Sequence, residues 1–343
     1  MGSRGNNIYT MSLTNFPNGI MGFPVVGASI LDMFGAGKTY FVDGDLGAAG
    51  NDGLSPSSAI STIQGAVTAA AVNGGNATIY VKALKPAAGN TDPVSYSENV
   101  IIPATCPNTR IVGVSVNRTQ GGLPQLLVGA TTTSPLITVR ASNCMVMNMG
   151  INGIGGTGGG ILLDDDDSTK SAYGTSILNC HFKNCVGTTA TNAATGGAIM
   201  WAATGSAWGV LIKGNRFYKN VGDVVLKGTS VTVPQDVVIE DNVFSGPAAS
   251  VDCNLYLAGG SGMNGLVIRN NSFTCFPAIG SGTNAKQLAL TGCVGFMSGN
   301  RFATSSKTFG AAGNNLVPTT MFMAENYQEV AAGAGATGEI GRT

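Results

Sequence analysis

The sequence predicts an all-β fold, a right-handed parallel β-helix, from a repeated phrase and from the runs around it. The phrase consists of Gly, Asp or Asn, then Asn or Cys, then any residue and Phe. Its five copies end in Phe182, Phe217, Phe244, Phe273 and Phe302. The steps between them are 35, 27, 29 and 29 residues, a period typical of solenoids, whose repeats bury their apolar faces by stacking on one another.

The apolar runs beside the phrase decide which solenoid this is. Each repeat carries two or three runs of four to six residues, such as the run 210–213, bounded by Gly, Ser, Thr, Asn or Pro. Such runs are strands rather than helices. Leucine-rich repeats would need a helical half, and propeller blades need about 40 to 50 residues. A parallel β-helix remains.

Stacked coils place equivalent residues one strand spacing apart, about 4.8 Å. We therefore expect the five Phe residues to form a column of rings inside the rod. The position two residues before Phe should form an amide ladder, because identical Asn side chains hydrogen-bond along stacked strands. The ladder would contain Asn215, Asn242, Asn271 and Asn300, with Cys180 in the same column one coil earlier.

The chain divides into four predicted segments. Residues 1–38 lack the repeat and are expected to be an extended anchoring segment. Residues 39–103 should open the β-helix and supply a capping helix over 58–72, with Ile60, Ile63, Val67 and Ala70 on its buried face. The coils should occupy residues 104–330. The Gly- and Ala-rich tail, 331–343, is expected to be flexible or docked on a neighbouring molecule.

The composition argues against several partners. Charged residues make up 10% of the chain, against about 25% in typical soluble proteins. The net charge is zero, which disfavours nucleic acid or an anionic membrane as partner. The seven cysteines show no CxxC spacing and no signal peptide precedes them, so we expect free, buried thiols and assembly in a reducing cytoplasm.

Candidate catalytic groups are sparse, and no metal or cofactor is predicted. Asp241 and Glu325 share a column but stand three coils apart, roughly 14 Å, too far for a pair of catalytic carboxylates. Glu240 lies between Lys213 and Arg269, which suits ion pairing across strands. These patterns predict that the protein is not an enzyme, with a polysaccharide lyase or hydrolase as the alternative.

Three other features have a functional and a structural interpretation. The run Asp164–Asp167 could bind calcium through its oxygens, although a solvated turn is favoured. His181 is the chain's one histidine, and it should face away from the Phe column in a structural role. Trp201 and Trp208 could stack on sugar rings, although packing within a loop is favoured.

Two segments resemble known families. Residues 41–43, 50–56 and 61–66 are similar to the N-terminal part of pectate-lyase-like right-handed β-helix proteins, a superfamily of lyases, hydrolases and structural members. The phrase at residues 13–20 resembles one near the N-terminus of tailed-bacteriophage structural proteins, commonly of the head.

Together the two resemblances imply a virion protein assembled in the host cytoplasm. With no paired carboxylates, few charges and seven free cysteines, we expect a capsid decoration or cement protein bound to the major capsid protein or another virion protein. The alternatives are a tailspike-like β-helix that binds or cleaves glycans and, with less support, a secreted bacterial polysaccharide lyase. Residues 13–33 carry apolar side chains but have no repeat to stack on, so we expect this segment to be the anchor, with Asn15, Phe16, Pro17, Phe23 and Val25 as the anchoring residues.

Side chains that alternate along the strands predict self-association. If Val210 and Ile212 point inward, the residue between them points outward, and the same holds in the following coils. The outward column is then apolar, and it contains Leu211, Val238, Val267, Phe296 and Phe322. Because exposed apolar patches of this size mark interfaces, we expect a homo-oligomer, most simply a trimer of side-by-side rods; the alternative is that a loop or the C-terminal tail folds over the column.

Overall fold

The computed structural model describes residues 37–86, 94–114, 122–167, 170–189, 192–202, 207–226, 233–245, 253–257, 263–274, 286–303, 317–329 and 338–339. These residues form a right-handed parallel β-helix with three sheets around one core, which confirms the predicted fold class. The predicted anchoring segment, with Asn15, Phe16, Pro17, Phe23 and Val25, lies outside the described residues and stays a prediction.

Each full coil contributes one strand to each sheet. Sheet 1 contains Val100–Ile102, Ile137–Val139, Ile161–Leu163, Ile199–Trp201, Gly222–Leu226, Cys253–Tyr256 and Lys286–Ala289. Sheet 2 contains Thr39–Val42, Thr78–Lys82, Arg110–Val114, Met145–Met147, Ser176–Leu178, Leu211–Lys213, Val238–Glu240, Leu266–Arg269, Gly295–Ser298 and Met321–Ala324. Sheet 3 contains Ser95–Ser97, Gln125–Leu127, Gly150–Asn152, His181–Lys183, Arg216–Tyr218, Val243–Ser245, Ser272–Thr274, Arg301–Ala303, Tyr327–Glu329 and Gly338–Glu339.

The repeated Phe residues stack inside the rod, as the period predicts. Their ring centroids are 4.6 to 5.1 Å apart and their planes differ by 5 to 11°. All five side chains are buried. The separation follows the inter-strand spacing, because each Phe lies opposite the Phe of the next coil.

The Asn column forms the predicted ladder at the turn from sheet 2 to sheet 3. The Asn242 side chain shows the pattern: its Nδ2 donates to the Ile212 carbonyl at 2.9 Å and to Oδ1 of Asn271 at 3.0 Å. Its Oδ1 accepts from the backbone N–H of Asn215 at 2.8 Å. Each side chain therefore satisfies backbone groups that the sharp turn would leave buried and unpaired. The backbone N–H of Cys180 joins the column by donating to Oδ1 of Asn215.

The residue before the ladder explains the first position of the phrase. Gly214, Asp241, Asn270 and Gly299 have φ between 56 and 68°. This left-handed conformation favours Gly, Asn and Asp over other residues. The chain turns between the two sheets at this residue, so the repeated Gly, Asp or Asn is a requirement of the turn.

The capping helix is shorter than predicted. It spans Ile63–Val72, and Ile63, Ala66, Val67 and Ala70 are buried. Thr62 ends the extended segment, because its side chain accepts the backbone N–H of Gly65. Ile60 therefore lies before the helix, where it forms an isolated bridge with Val42.

A partly buried carboxylate, that of Glu98, fixes the beginning of this helix. The two oxygens of Glu98 accept the N–H groups of Ile63 and Gln64, at 2.9 and 2.8 Å. An acid at this end complements the helix dipole. The first coil is thereby attached to the cap that covers the end of the core. Elsewhere in the described residues, Pro56–Ser58 and Ala193–Thr195 form short 3-10 turns.

Two short elements lie outside the coils. Asp165–Asp167 pairs with Lys170–Ser171 in an antiparallel ribbon, instead of the predicted solvated turn. Gly338–Glu339, from the tail predicted to be flexible or docked on a neighbour, pairs with Tyr327–Gln328 of the same chain. This pairing corrects the prediction at those two residues, and it occupies the open edge of the last coil of sheet 3, where unpaired backbone groups would otherwise remain.

The cysteines are structural wherever the structure describes them. Cys106, Cys144, Cys180, Cys185, Cys253 and Cys293 are free and buried, as predicted, and Cys275 lies outside the described residues. Burial raises the pKa of the Cys144, Cys180 and Cys185 thiols to about 12, so they stay protonated and unreactive near neutral pH. No helix among the described residues is both long and apolar enough to cross a membrane.

Candidate functional site

The outer faces of the three sheets are the places where this rod can meet a ligand or a partner. Its interior is filled by the stacked side chains of one continuous core. Because residues alternate between the two faces of a strand, each strand presents one or two side chains outward. The three faces differ strongly in chemistry.

Sheet 2 presents an apolar band along its outer face. The predicted column is present and faces outward: Leu211, Val238, Val267, Phe296 and Phe322 lie opposite one another in successive coils. The first four are partly exposed and Phe322 is 64% exposed. The inward neighbours Ile212 and Ile239 are fully buried, so the predicted direction of these side chains is confirmed.

The band is longer than the sequence suggested. In the five N-terminal strands of sheet 2, the outward apolar residue lies two register positions later than in the five C-terminal strands. These residues are Phe41, Tyr80, Val112, Met147 and Leu178. All five side chains are partly exposed. The repeated phrase does not predict this half, because the upstream repeats are degenerate. The alternation of apolar and polar residues around Phe41 and Tyr80 is the sequence signal that indicates outward apolar side chains there.

An open cavity of about 420 Å³ lies at the N-terminal end of the band. Phe41 and Tyr80 stack there with centroids 5.9 Å apart. The rest of the apolar lining consists of Val42, Pro56, Ala59 and Val114. The two charged residues at its edge bind each other within the fold, because Nζ of Lys82 contacts Oδ2 of Asp43 at 2.6 Å. Oδ1 of Asp43 also accepts two backbone N–H groups.

The charged column beside the band is an ion-pair network, as predicted. Nζ of Lys213 lies 2.8 Å from Oε1 of Glu240 and 3.4 Å from a carboxylate oxygen of Asp241. Nε of Arg269 contacts the other oxygen of Glu240. The hydrogen bond from Lys213 and the guanidinium of Arg269 hold the pKa of Glu240 below its usual range. Glu240 is therefore a charged structural group and not a free catalytic acid.

Sheet 3 presents a basic face, which we define by Lys183, Arg216, Lys219 and Arg301. Arg216, Lys219 and Arg301 are exposed, and Lys183 is partly exposed. Tyr218 lies among them, with Nζ of Lys219 5.2 Å from its ring centroid. The variable third residue of the repeated phrase is the outward one, and it reads His181, Arg216, Val243, Ser272 and Arg301 in the five copies. The sequence thus contained a signal for this face that the sequence analysis did not use.

His181 faces outward from sheet 3, as predicted, but it is 8% exposed. It lies between Gly150 and Arg216 in its column, and its Nε2 is buried without a hydrogen-bond partner among the described residues. Burial, with the nearby charges of Arg216 and Lys183, lowers the pKa of His181 to about 4. The imidazole is therefore neutral at physiological pH.

The outer face of sheet 1 is largely closed. Met200, Val225, Cys253 and Ala289 are buried there in a small second core beneath Ala193 of the 3-10 turn. Met200 and Val225 are thus buried in the middle of this face, whereas Leu162 and Tyr256 of the same column are partly exposed.

A buried acid beside this face escaped the sequence analysis. Asp223 is 2% exposed and accepts hydrogen bonds from Nδ2 of Asn220 at 2.9 Å and Nδ2 of Asn254 at 2.6 Å. Burial raises the pKa of Asp223 to about 7, because these two amides only partly replace the water that an ionised carboxylate requires.

The remaining sequence candidates are dispersed. Asp164 pairs with Nε of Arg140 at 2.8 Å, outside any cluster. Trp201 is a core residue whose Nε1 donates to the Ala207 carbonyl. Trp208 is 44% exposed and packs edge-on against Tyr173. The described residues contain no group of three or more His, Cys, Asp or Glu side chains that could hold a metal ion.

The chain was compared with known proteins. No protein-family model matches it, and no curated protein matches it. Three similar solved structures are YbhC from Escherichia coli (12% identity, TM-score 0.48, covering 84% of each chain), the pectin methylesterase of Aspergillus niger (12%, 0.40, 86% of each) and the GH136 lacto-N-biosidase of Eubacterium ramulus (10%, 0.41, 86% of this chain and 68% of that one). At such identities the likeness concerns the fold.

These findings contradict the prediction that the protein is not an enzyme. The similar structures include an esterase and a glycoside hydrolase, so the prediction is withdrawn. The error lay in treating the spacing of a few carboxylates as a test of all catalytic chemistry. The likeness names no reaction for this chain, because one fold carries many activities.

Proposed function

We propose that the protein is a structural component of a bacteriophage virion, a head decoration or cement subunit, in which rods assemble side by side through the apolar band of sheet 2. The band carries this proposal, because it crosses all ten strands of the sheet. A soluble monomer rarely exposes so long a patch, and such patches mark protein interfaces.

The size of the band favours a trimer. Nine strand spacings give a length of about 43 Å, and one outward side chain per strand gives a width of about 7 Å. One copy thus contributes roughly 300 Å², which is below the usual share of a stable dimer, about 800 Å² per partner. In a trimer each rod meets two neighbours around a common axis, so the same band is used more fully.

The charges beside the band permit such contact. Glu240 is held between Lys213 and Arg269, and Lys213 also meets Asp241. These two bases and two acids neutralise one another, so a second copy meets no uncompensated charge. Like-charge repulsion, a common device against association, is absent from this part of the described surface.

The N-terminal segment supplies the link to the particle in this proposal. It resembles a segment of phage head proteins and lies outside the repeat. It contains Asn15, Phe16, Pro17, Phe23 and Val25. Apolar residues without a coil to stack on need another surface to bury them. We infer that this surface is the major capsid protein or another virion protein. The proposal concerns assembly and assigns no reaction.

Val238→Asp with Val267→Asp should convert the assembly into monomers in sedimentation velocity. Both valines are partly exposed and face out of the rod, so the double variant should fold, while its trimer would have to bury six unpaired carboxylates, two from each chain. Burying such charges costs several kcal/mol each. The melting temperature of the variant should be close to that of the unchanged protein when both are measured at a dilution at which the unchanged assembly dissociates.

The matched control is Val243→Asp with Ser272→Asp. These residues are also neighbours in register and face outward, but from sheet 3. The control should sediment as the unchanged protein does. Monomers for the unchanged chain, or an intact assembly after the sheet 2 changes, would contradict the proposed interface.

A chain beginning at Gly37 should fold but fail to join particles of the phage that encodes it. Among the described residues, the core begins at Tyr40, so the truncation leaves the rod intact. Far-ultraviolet circular dichroism checks the fold, and co-sedimentation with particles made without the protein checks binding. A full-length Phe16→Ala, Phe23→Ala variant should also bind weakly. Equal binding by the truncated and complete chains would refute the anchor.

A further inference from the structure

We propose that the basic face of sheet 3 binds an anionic polysaccharide, with carboxylates of the glycan at Arg216 and Arg301. This goes beyond the proposed virion role and shares no residue with the apolar band. Sheets 2 and 3 form different sides of the rod. An assembly through sheet 2 would therefore leave the basic face turned toward solvent.

The first argument is that charge is sorted between the faces. On sheet 2, Lys213 and Arg269 are neutralised by Glu240. On sheet 3, Arg216 and Arg301 form no ion pair with any described residue. The described outward side chains of this sheet include no acid, and its acidic residues, Glu329 and Glu339, are confined to its last two strands. A protein of zero net charge thus presents one face with positive potential.

The second argument is the shape of the face. His181, Arg216, Val243, Ser272, Arg301 and Tyr327 lie opposite one another in successive coils. Five strand spacings make this row about 24 Å long. Between the two arginines stand only Val243 and Ser272, so no long side chain interrupts the row. An extended polymer fits such a track better than a compact anion does.

Aromatic rings stand near both ends of the row. Tyr218 adjoins Arg216, and Tyr327 lies opposite Arg301 in the next coil. Tyr327 is 51% exposed and Tyr218 is 36% exposed. A half-exposed tyrosine offers an apolar ring face together with a hydroxyl group. Sugar rings present apolar C–H groups on one side and hydroxyls at their edges, and they match this combination.

His181 adds an unsatisfied polar group at one end. Its Nε2 is buried without a partner in the described structure, an arrangement that costs free energy. Gly150, the preceding residue of the column, has no side chain, and a Cβ there would make ordinary van der Waals contact at 3.6 Å with its nearest described atoms. The unpaired Nε2 therefore belongs to the same column as Arg216, one strand away.

The spacing of charge selects a glycan over a nucleic acid. Arg216 and Arg301 are three strand spacings apart, about 14 Å. Nucleic acids carry a charge at each nucleotide, and the domains that bind them are strongly basic overall, whereas this chain has a pI of about 6.6. A polysaccharide with one carboxylate in each repeating unit has sparser charge. The row therefore suits a carboxylated glycan of this kind.

Hyaluronate, which carries one carboxylate per disaccharide, is the test probe, with neutral dextran and single-stranded DNA beside it. The complete protein should bind hyaluronate at low salt, and binding should weaken as salt rises. Arg216→Gln with Arg301→Gln should weaken it by about tenfold or more, as expected when two charge-assisted contacts are lost. Both side chains are exposed, so the variant should melt as the unchanged protein does.

Lys38→Gln with Lys85→Gln is the matched control. It removes the same two positive charges from exposed sites away from the basic face, and it should bind hyaluronate within about twofold of the unchanged protein. The proposal is overturned if the unchanged protein binds no hyaluronate, if dextran or DNA binds as well as hyaluronate, or if the two double variants lose binding equally. Sedimentation of the same samples reports assembly separately, so failure here leaves the virion proposal standing.

Discussion

Replacing Phe244 by Ala should lower the free energy of unfolding by about 3–5 kcal/mol. The ring is fully buried and stacks on both sides, with centroids 4.8 Å from Phe217 and 4.6 Å from Phe273. Alanine would leave a cavity between two flat rings. These rings are held in place because their strands pair in register with the neighbouring strands. Because the coils cannot move together without breaking that register, little of the cavity can collapse. Urea denaturation followed by circular dichroism measures the change.

Val243→Ala is the matched control for this prediction. Val243 precedes Phe244 in the same strand but faces outward and is 39% exposed. It should cost no more than about 1 kcal/mol, as surface substitutions usually do. Equal losses for the two variants would show that the Phe column does not carry the stability assigned to it.

The stability of the protein should depend on pH through Asp223. The pKa of this buried carboxyl is raised to about 7, whereas an unfolded Asp titrates near about 3.9. Between about pH 4 and pH 7 the folded protein therefore binds one proton more than the unfolded chain. Stability from this group is fully present below pH 4, falls as the pH rises through this window, and levels off above it.

Asp223→Asn removes this dependence, because an amide does not titrate. One pKa unit corresponds to about 1.4 kcal/mol, so the whole window amounts to at most about 4 kcal/mol. Melting temperatures of both proteins at pH 4, 5, 6, 7 and 8 give the test. Relative to the variant, the unchanged protein should lose stability steadily up to pH 7. Parallel curves over this range would show that Asp223 does not titrate as inferred, whatever the constant offset between them.

The repeat made the interior of the rod predictable. Each coil from Asn215 to Phe302 carries one Phe and one Asn at equivalent positions. Stacking of the coils places equivalent residues in a column, about 4.8 Å from one another. The alternation of side chains along each strand also predicted that Leu211, Val238 and Val267 face outward. These predictions needed no knowledge of loops, because a solenoid is built from contacts between neighbouring coils.

The same reasoning was weakest where the period fades. The apolar positions Phe41 and Tyr80 lie in coils that lack the phrase, so half of the band was missed. The helix was extended back to Ser58 because apolar spacing alone does not show where a cap forms, and the Thr62 side chain made that choice. The ribbon at Asp165–Asp167 and the pairing of Gly338–Glu339 arise from partners that a local pattern does not identify.

By itself, the sequence determined the fold class, the core columns and the turn that joins sheets 2 and 3. Each of these follows from short-range rules that repeat in every coil. Only the tertiary structure decided which charges are neutralised, as at Glu240, and which acid is buried, as at Asp223. It also decided which face is open. The outer face of sheet 1 is covered in part by the 3-10 turn at Ala193, and the repeat does not predict where this turn packs. Burial and charge pairing depend on contacts between distant residues, and the chemistry of a site depends on both.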